Sequence, residues 1–407
     1  METAPILTIH RISTKSTPPT TVTVTNIYYC YYYAHERTIR LKFTCNKQNL
    51  VEAVTNVQRA VSTKSTIPAL EGIFIKAKAD QLELCGYNLE LGIKTYIEAQ
   101  VEDEGEVVLN AKLFSDIVRS LPDEKVSIAV DDRMITEINS GKSDFSIIGL
   151  KSEDFPELPF ISGAQNIKLS SLVLKSMIKQ TLYAISENDS KPVHTGALFD
   201  IANQEIRLVS VDGYRLALRK EKINTNEQIS FVVPKKTLME VIKLIPDLVD
   251  EITLKIADRH IIFEIDNYCV ISRLLEGEFL DYSAAIPIDF RTELKVNTRK
   301  LIESTERVSL LVTDRLRSPI RCVLINDEVK MSCVTSIGKA SDEFKCPIKG
   351  EDVEVGFNNR YLVEALKNVD TDEVVVQLNG PLSPIKILPS SGDSFLFLVL
   401  PVRLQAE

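Results

Sequence analysis

A strand-and-helix plan recurs in this sequence at intervals of 124 residues, and this repetition limits the possible folds more than any other feature. In three segments a short apolar strand is followed by a polar or proline-containing break and then by a helical pattern. Apolar residues in each helical pattern recur at i, i+1, i+4, i+5 and i+8, which places them on one helix face. Equivalent helix positions are Leu113, Thr237 and Tyr361. A period of this length predicts whole domains in series.

A second helix begins each repeat, at Leu50, Leu174 and Leu301, after a short alternating strand. The remaining stretches alternate apolar and polar residues, as half-buried strands do. We therefore predict an α+β fold of three tandem, similar domains, each with two helices and about eight strands. Breaks that contain Pro, Gly or Ser place the domains at 41–166, 167–291 and 292–407.

Residues 1–40 do not share this pattern. They are rich in Thr, Ser and Tyr, and their only acidic residues are Glu2 and Glu36. Globular patterning begins abruptly at Leu41. We expect this extension to be disordered or to precede the native start of translation.

Lysine and arginine concentrate in the expected helices, although the whole chain has a net charge of −9. The helical segments hold 15 basic and 6 acidic residues. Helix propensity alone is one explanation, but Glu is as good a helix former as Lys and is scarce here. We therefore predict a basic helical surface, which suffices for sequence-independent contact with nucleic-acid phosphates. The segments are 47–64, 111–121, 170–182, 234–245, 298–308 and 358–368.

The sequence lacks the motifs of common enzymes and metal sites. It contains no Walker A loop and no G-x-G-x-x-G, G-x-S-x-G or H-E-x-x-H pattern. Its four histidines are isolated and its seven cysteines form no C-x-x-C pair, so we expect no metal, no cofactor and reduced thiols in a cytoplasmic protein. A binding or scaffolding role is favoured. A hydrolase-like enzyme with a non-motif active site at a domain interface and a structural or adhesion repeat protein remain as alternatives.

Several motifs occur in a fixed order along the chain. The strongest are Val211-Asp-Gly-Tyr-Arg-Leu216 and Leu400-Pro-Val-Arg-Leu404, accompanied by Gly356-Phe-Asn-Asn-Arg-Tyr361 and Asp154-Phe-Pro-Glu-Leu158. The first resembles Thr-Asp-Gly-(His/Tyr/Lys)-Arg-Leu and the second Met-Pro-x-Arg-Leu of one family, the beta subunit of bacterial DNA polymerase III, or sliding clamp. The resemblance covers residues 41–404.

The resemblance implies a DNA clamp fold in which two copies associate head to tail, each forming half of a closed ring. Helices would line the hole around double-stranded DNA and sheets would form the outside. It implies processivity in DNA replication without catalysis by the chain itself. The expected partners are the replicative polymerase, the clamp loader, and other polymerases and DNA repair proteins that bind through short peptide motifs. The expected location is the cytoplasm, at the nucleoid, with no membrane association.

The resemblance also implies a pocket for these peptides between the second and third domains. The matching positions are His194, Val211, Gly213, Tyr214, Arg215, Leu216, Leu280, Ala284, Ala285, Asn358, Tyr361, Leu382, Pro384, Leu398, Val399, Leu400, Pro401, Val402, Arg403 and Leu404. The first-domain counterpart of the hairpin motif, residues 87–90, lacks the Gly, so we expect one pocket per chain.

Some positions depart from the family pattern. Ala284 and Ala285 replace an Arg and an apolar residue, and His194 stands where the family often has Leu. These differences concern the contour of the pocket and the peptide motif it prefers. The duplex-facing loop residues of the family correspond here to Lys64 and Lys191.

Overall fold

The computed structural model describes residues 39–404, apart from residues 160, 162, 189, 247–249 and 314–317. The expectation for the N-terminal extension therefore lies almost entirely outside the described residues. Within them the chain forms three units of the same α+β plan, as the repeat predicts. Each unit contains two copies of a motif in which a strand and a helix are followed by three strands.

The first unit has eight strands and two helices. Its elements are β1 (Ile39–Asn46), α1 (Lys47–Val57), β2 (Gly72–Lys78), β3 (Gln81–Tyr87), β4 (Leu91–Asp103), β5 (Gly105–Asn110), α2 (Ala111–Ser120), β6 (Lys125–Asp131), β7 (Ile135–Ser140) and β8 (Ser143–Ile148).

The second unit repeats this order and adds one short helical turn. Its elements are β9 (Gln165–Ser170), α3 (Ser171–Leu182), β10 (Gly196–Ala202), β11 (Glu205–Val211), β12 (Arg215–Lys222), β13 (Ile229–Pro234), α4 (Lys235–Leu244), β14 (Glu251–Ile256), β15 (His260–Ile265), β16 (Tyr268–Arg273) and α5 (Tyr282–Ala285).

The third unit adds a three-residue strand, β21, to the same order. Its elements are β17 (Thr292–Asn297), α6 (Thr298–Ser309), β18 (Ile320–Ile325), β19 (Glu328–Thr335), β20 (Gly338–Lys345), β21 (Ile348–Gly350), β22 (Val353–Phe357), α7 (Asn359–Lys367), β23 (Glu373–Leu378), β24 (Ile385–Pro389) and β25 (Phe395–Val399).

The polar breaks in the repeat are helix N-caps. The Oδ1 atoms of Asn46, Asn110, Asn297 and Asn358 each accept a hydrogen bond from a backbone N–H in the first turn of α1, α2, α6 and α7. Such a cap satisfies a donor that has no partner within the helix, and its loss costs about 1 kcal/mol. The same residue type therefore starts four of these helices in register with the repeat.

The first helix ends earlier than its apolar pattern predicts. We expected helix over 47–64, but α1 ends at Val57 and a single 3-10 turn follows at Gln58–Ala60. The chain then becomes extended at Val61, and the Ser62 N–H donates to the Leu70 carbonyl at 3.0 Å. Ser and Thr after this point favour such local bonding over a helix, so Lys64 lies in a loop.

Sheets run without interruption from one unit into the next. Strand β4 pairs antiparallel with β16, which joins the first unit to the second, and β12 pairs with β25, which joins the second to the third. In both cases the last strand of one unit's first motif meets the last strand of the next unit's second motif. Two such last strands remain at sheet edges among the described strands, β8 in the first unit and β20 in the third.

Helices pack in pairs against these sheets, and each pair is joined by a polar contact. Arg119 donates to the Thr55 hydroxyl at 3.3 Å in the first unit, and Lys175 donates to the Ile245 carbonyl at 3.2 Å in the second. In the third, Lys367 pairs with Glu306 at 2.7 Å. No helix in the described part of the chain is long and apolar enough to cross a membrane.

Gly86 in β3 is required because α1 ends against it. A Cβ at residue 86 would lie 2.1 Å from the Val57 carbonyl oxygen, which belongs to backbone and cannot rotate away. We predict that Gly86→Ala lowers the free energy of unfolding by roughly 1–3 kcal/mol, as overpacking does. Urea unfolding measures the change. Gln81→Ala, at the exposed end of the same strand, is the control and should stay within about 0.5 kcal/mol of wild type. Equal stability of the two variants would contradict this packing.

Candidate functional site

A tight hairpin between β11 and β12 forms one side of the candidate site. The Asp212 Oδ1 atom accepts hydrogen bonds from the backbone N–H groups of Tyr214 at 2.9 Å and Arg215 at 3.0 Å. Gly213 has a φ of +90°, a left-handed conformation that favours glycine. The motif is thus an Asp-Gly hairpin turn, and this turn carries Tyr214 outward and Arg215 back toward the third unit.

Arg215 connects the hairpin to helix α7. Its Nε donates to Asp212 Oδ2 at 2.8 Å, and its Nη1 donates to Glu364. The guanidinium carbon lies 5.3 Å from the ring centre of Tyr183 and 4.7 Å from that of Tyr361. Cation–π contacts and partly buried ion pairs of this kind hold the junction between the second and third units at a defined angle.

Glu364 is held ionised by this arrangement. Burial raises the pKa of Glu364, but hydrogen bonds from Arg215 and from Arg360 outweigh it, so the pKa lies below its ordinary value. The Arg360 bond measures 2.8 Å. Tyr214 stacks on Tyr361 with ring centres 5.8 Å apart, so aromatic faces continue from the hairpin onto α7.

A cavity of about 420 Å³ opens beside this hairpin, where β12 and β25 pair. It is lined by Ser186, Asn188, Ser190, Lys191, His194, Val211, Asp212, Gly213, Arg215, Leu216, Leu280, Ala285, Pro384, Leu398 and Leu400. We call it the junction pocket. Leu216 and Leu398 are buried at its base, while Leu280 and Leu400 are 45% and 39% exposed at its rim. A concave, mostly apolar cavity of this volume, with a few polar groups in its lining, is suited to bind side chains of a short peptide.

Half of the pocket residues expected from sequence meet in the junction pocket. They are His194, Val211, Gly213, Arg215, Leu216, Leu280, Ala285, Pro384, Leu398 and Leu400. Tyr214 and Tyr361 lie beside it as the stacked pair, and Asn358 caps α7. Ala284 is exposed in α5, where the Asp281 carboxylate caps the turn.

Residues at the C-terminal end of the described chain line a second, separate groove. Leu382, Val402, Arg403 and Leu404 line this groove of about 640 Å³ together with acidic residues of the third unit. Pro401 forms an isolated antiparallel β-bridge with Phe357. Val399 is fully buried in the sheet, where its strand pairs with β12 on one side and β24 on the other. Val399 therefore supports the pocket through packing, whereas Val402, Arg403 and Leu404 lie in the separate groove and not in the junction pocket.

The two lysines expected to face DNA lie in different settings. Lys64 is exposed in the loop after α1. Lys191 lines the junction pocket, next to His194. The pocket also contains five residues that were not expected there from the sequence, Ser186, Asn188, Ser190, Lys191 and Asp212. Asp212 could have been predicted from its place in the hairpin motif, between Val211 and Gly213. The other four residues belong to a loop without a recognisable sequence pattern.

Exposed cations recur at one helix position in the three units. Lys112, Lys236 and Arg360 each occupy the second residue of the second helix, 124 residues apart, and all are exposed. Arg360 pairs with Glu364, while Lys112 and Lys236 have no ion pair among the described residues. No group of three or more potential metal ligands occurs within the part of the chain that the structure describes.

Comparison with known proteins agrees with this architecture. Models of the DNA polymerase III beta subunit match along the chain, the N-terminal domain at residues 41–159, the central domain at 168–281 and the C-terminal domain at 283–403. The beta sliding clamp of Bacillus subtilis is 33% identical over 376 residues, covering 89% of this chain and all of the relative.

Solved structures show the same similarity in three dimensions. The crystal structure of the Bacillus subtilis sliding clamp superposes with a TM-score of 0.88 at 32% identity, covering 90% of this chain and 100% of that one. A sliding clamp from Bartonella birtlesii bound to griselimycin gives a TM-score of 0.84 at 27% identity, covering 89% and 100%. Both the sequence and the fold thus show that the chain belongs to the family of DNA polymerase III beta subunits, the beta sliding clamps.

Proposed function

We propose that two copies of this chain close head to tail into a ring around duplex DNA, and that the junction pocket tethers replication partners to that ring. Beta sliding clamps are accessory subunits of a polymerase and not catalysts, and family membership gives this chain the same class of function. The single observation that carries the ring concerns the last strands of the six described motifs. Four of them pair across the two unit junctions, whereas β8 and β20 lie at sheet edges.

The two internal junctions follow one rule of register. At the first, the first residue of β16, Tyr268, lies opposite the fifth residue of β4, Thr95. At the second, the first residue of β25, Phe395, lies opposite the fifth residue of β12, Arg219. Since β20 and β8 are the equivalent strands, the same rule sets Asp342 of one copy opposite Ser143 of the other.

Such a contact joins two different surfaces of the same chain. A heterologous contact gives a ring when its rotation closes and a filament when it does not. Two copies supply six similar units, and β8 of each copy would pair with β20 of the other, so a closed dimer leaves neither β8 nor β20 at an edge. An unpaired edge strand can pair with strands of other molecules and cause aggregation, so closure of the ring also lowers the risk of aggregation.

The basic helices fit the inside of this ring. Exposed Lys112, Lys236 and Arg360 recur with the repeat, so a ring of six units would present a cation at six regular positions. Phosphate contacts of this kind are independent of base sequence and weaken with salt, which permits sliding. Topology, and not affinity, then keeps the clamp on DNA. We place Lys64 with these DNA-facing residues, and the expectation that Lys191 also faces DNA stays a prediction.

The junction pocket supplies the partner site. Its apolar base of Leu216 and Leu398, with the exposed Leu280 and Leu400 at the rim, fits Leu or Phe side chains of a partner tail. We propose that the tails come from the replicative polymerase, the clamp loader, and other polymerases and repair proteins. The place of action is then the cytoplasm, at the nucleoid. No observation favours the hydrolase alternative, and the family match weighs against it.

We predict that a disulfide between Asp144→Cys and Ser341→Cys links two copies. The register rule sets these exposed residues directly opposite each other, within about 4.5–5.5 Å between Cβ atoms. Mild oxidation of the double variant should give a covalent dimer on a denaturing gel. The control pairs Ser341→Cys with Ser146→Cys, two residues along β8, where the diagonal Cβ distance of about 7 Å disfavours the bond. Equal or better cross-linking of the control would refute the register.

We predict that the dimer stays on circular DNA and leaves linear DNA. Protein diluted to monomers is reassociated in the presence of a nicked circular plasmid, oxidised through the Asp144→Cys and Ser341→Cys pair, and gel-filtered in 0.5 M salt, which screens phosphate contacts. The ring should elute with the circle and separate from it after a single restriction cut. Retention of the protein on the cut plasmid would indicate that it binds DNA by direct contacts and does not encircle it.

We predict that Leu280→Asp weakens binding of partner tail peptides at least about tenfold, because it places a charge at the apolar rim. Fluorescence anisotropy with labelled tail peptides of the replicative polymerase measures the change. Ile288→Asp is the matched control, since Ile288 is 92% exposed in the same connecting segment and does not line the pocket. Similar losses for both variants would argue against the pocket.

A further inference from the structure

One wall of the junction pocket is formed by a segment that lies outside the sheets. Leu280 and Ala285, which line the pocket, belong to the connection between β16 and β17. The backbone N–H groups of Leu275 and Arg291 each donate to a strand carbonyl at 2.9 Å. Between these two residues no backbone group of the segment bonds to the backbone of a strand within the described part of the chain. Side chains must therefore fix the position of this wall.

Tyr282 ties the segment to the second unit. Its hydroxyl donates to Asp200 Oδ2 at 2.5 Å and accepts from Arg207 Nη1 at 3.4 Å. Asp200 in β10 and Arg207 in β11 are directly opposite each other in the strand register, and Arg207 also pairs with Glu205 at 2.6 Å. The hydroxyl therefore meets an acceptor and a donor whose positions the sheet fixes.

The Tyr282 hydroxyl keeps its proton at neutral pH. Burial raises the pKa of Tyr282, and the hydrogen bond to Asp200 raises it further, while the Arg207 guanidinium lowers it by a smaller amount. The resulting pKa lies above the ordinary value of a tyrosine, so the hydroxyl remains a donor to Asp200 under the conditions of a binding measurement.

The ring of Tyr282 packs with the base of the pocket. It is 8% exposed and belongs to one apolar cluster with Val211, Leu216 and Leu398, three residues that also line the pocket. Tyr282 itself is not among the residues that line the pocket. Because close-packed side chains transmit a displacement to their neighbours, the position of this ring affects the wall and the base together.

Lys386 ties the same segment to the third unit. Its ammonium donates to the Pro287 carbonyl at 3.1 Å, and the residue, in β24, is 8% exposed. Ala285 lies between the two ties, and Leu280 lies two residues before the first. Loss of the Tyr282 tie alone would therefore free the part of the wall that carries Leu280 while Pro287 stays attached.

We propose that Tyr282 is a positioning residue of the junction pocket: its hydroxyl holds Leu280 and Ala285 at the distance from the pocket base that a partner side chain requires. The inference rests on the proposed function and adds a residue that acts on the partner through the wall. Removal of a hydrogen bond to a charged group changes an equilibrium constant by roughly tenfold or more. A wall that is free to shift must be ordered again when a peptide binds, so part of this effect appears in the affinity.

Tyr282→Phe tests the proposal, because it removes the hydroxyl and keeps the packed ring. Fluorescence anisotropy with a labelled tail peptide of the replicative polymerase measures the affinity, and we expect a loss of about three- to fivefold. Tyr268→Phe is the matched control. Tyr268 is also 8% exposed, and its hydroxyl accepts from the Asn56 side chain at 2.7 Å at the first junction. This variant should bind the peptide within about 1.5-fold of wild type, since distant sites act independently.

A double-mutant cycle with Leu280→Ala separates positioning from a general loss of stability. When Leu280 is already shortened, Tyr282→Phe should weaken peptide binding less than about 1.5-fold, because two changes that act through one contact are not additive. A general effect on the fold would give the same loss in both backgrounds. Additive losses would therefore overturn the proposal.

The remaining outcomes distinguish this inference from the function on which it rests. Equal peptide affinities of wild type and Tyr282→Phe, or an equal loss in Tyr268→Phe, would overturn the positioning role while leaving the pocket in place. A wild-type protein that binds no tail peptide would instead contradict the pocket itself, and with it the proposed function.

Discussion

Antiparallel pairing of backbone across the unit junctions is the interaction on which the rest of this structure depends. Strands β4 and β16, and then β12 and β25, pair in the same register, so each unit takes up the same relation to its neighbour. Backbone hydrogen bonds fix both spacing and direction, which side-chain packing between separate domains does less strictly. The placement of the helices and of the unmatched edges follows from this repeated pairing.

The two internal junctions differ in what fills the space beside the paired strands. In the first, Gly92 stands where the second unit has Leu216, and Leu158 from the connecting segment lies so close that a Cβ at residue 92 would be 2.8 Å from its Cδ2 atom. In the second, the connecting segment keeps Leu280 at the rim, and the junction pocket stays open. The space that Leu216 occupies at the second junction is therefore taken by Leu158 at the first.

Local patterns in the sequence predict the local structure well. The 3.6-residue apolar period predicts five of the six helices to within one residue at each end, and the Asp-Gly pair predicts the hairpin at Gly213. The predicted end of α1 was wrong by several residues. The helix ends where Val57 contacts Gly86, and the apolar period of the helix carries no information about a contact with a distant strand. The register of the strands at the two junctions also depends on contacts between distant parts of the chain. Family resemblance supplied ten residues of the pocket lining but not Ser186, Asn188, Ser190 or Lys191, which no pattern distinguishes from a solvated loop.

Arg215 serves two purposes, and this limits how the pocket can change. The side chain lines the pocket and also ties Asp212 of the hairpin to Glu364 of α7 between two tyrosine rings. Replacing Arg215 would leave Glu364 without a principal counter-charge and loosen the angle between the units. Substitution of Arg215 would thus change the lining of the pocket and weaken the junction between the second and third units together. Leu280 and Ala285 line the same pocket but form no ion pair across the junction, so the pocket can change there without loss of this connection.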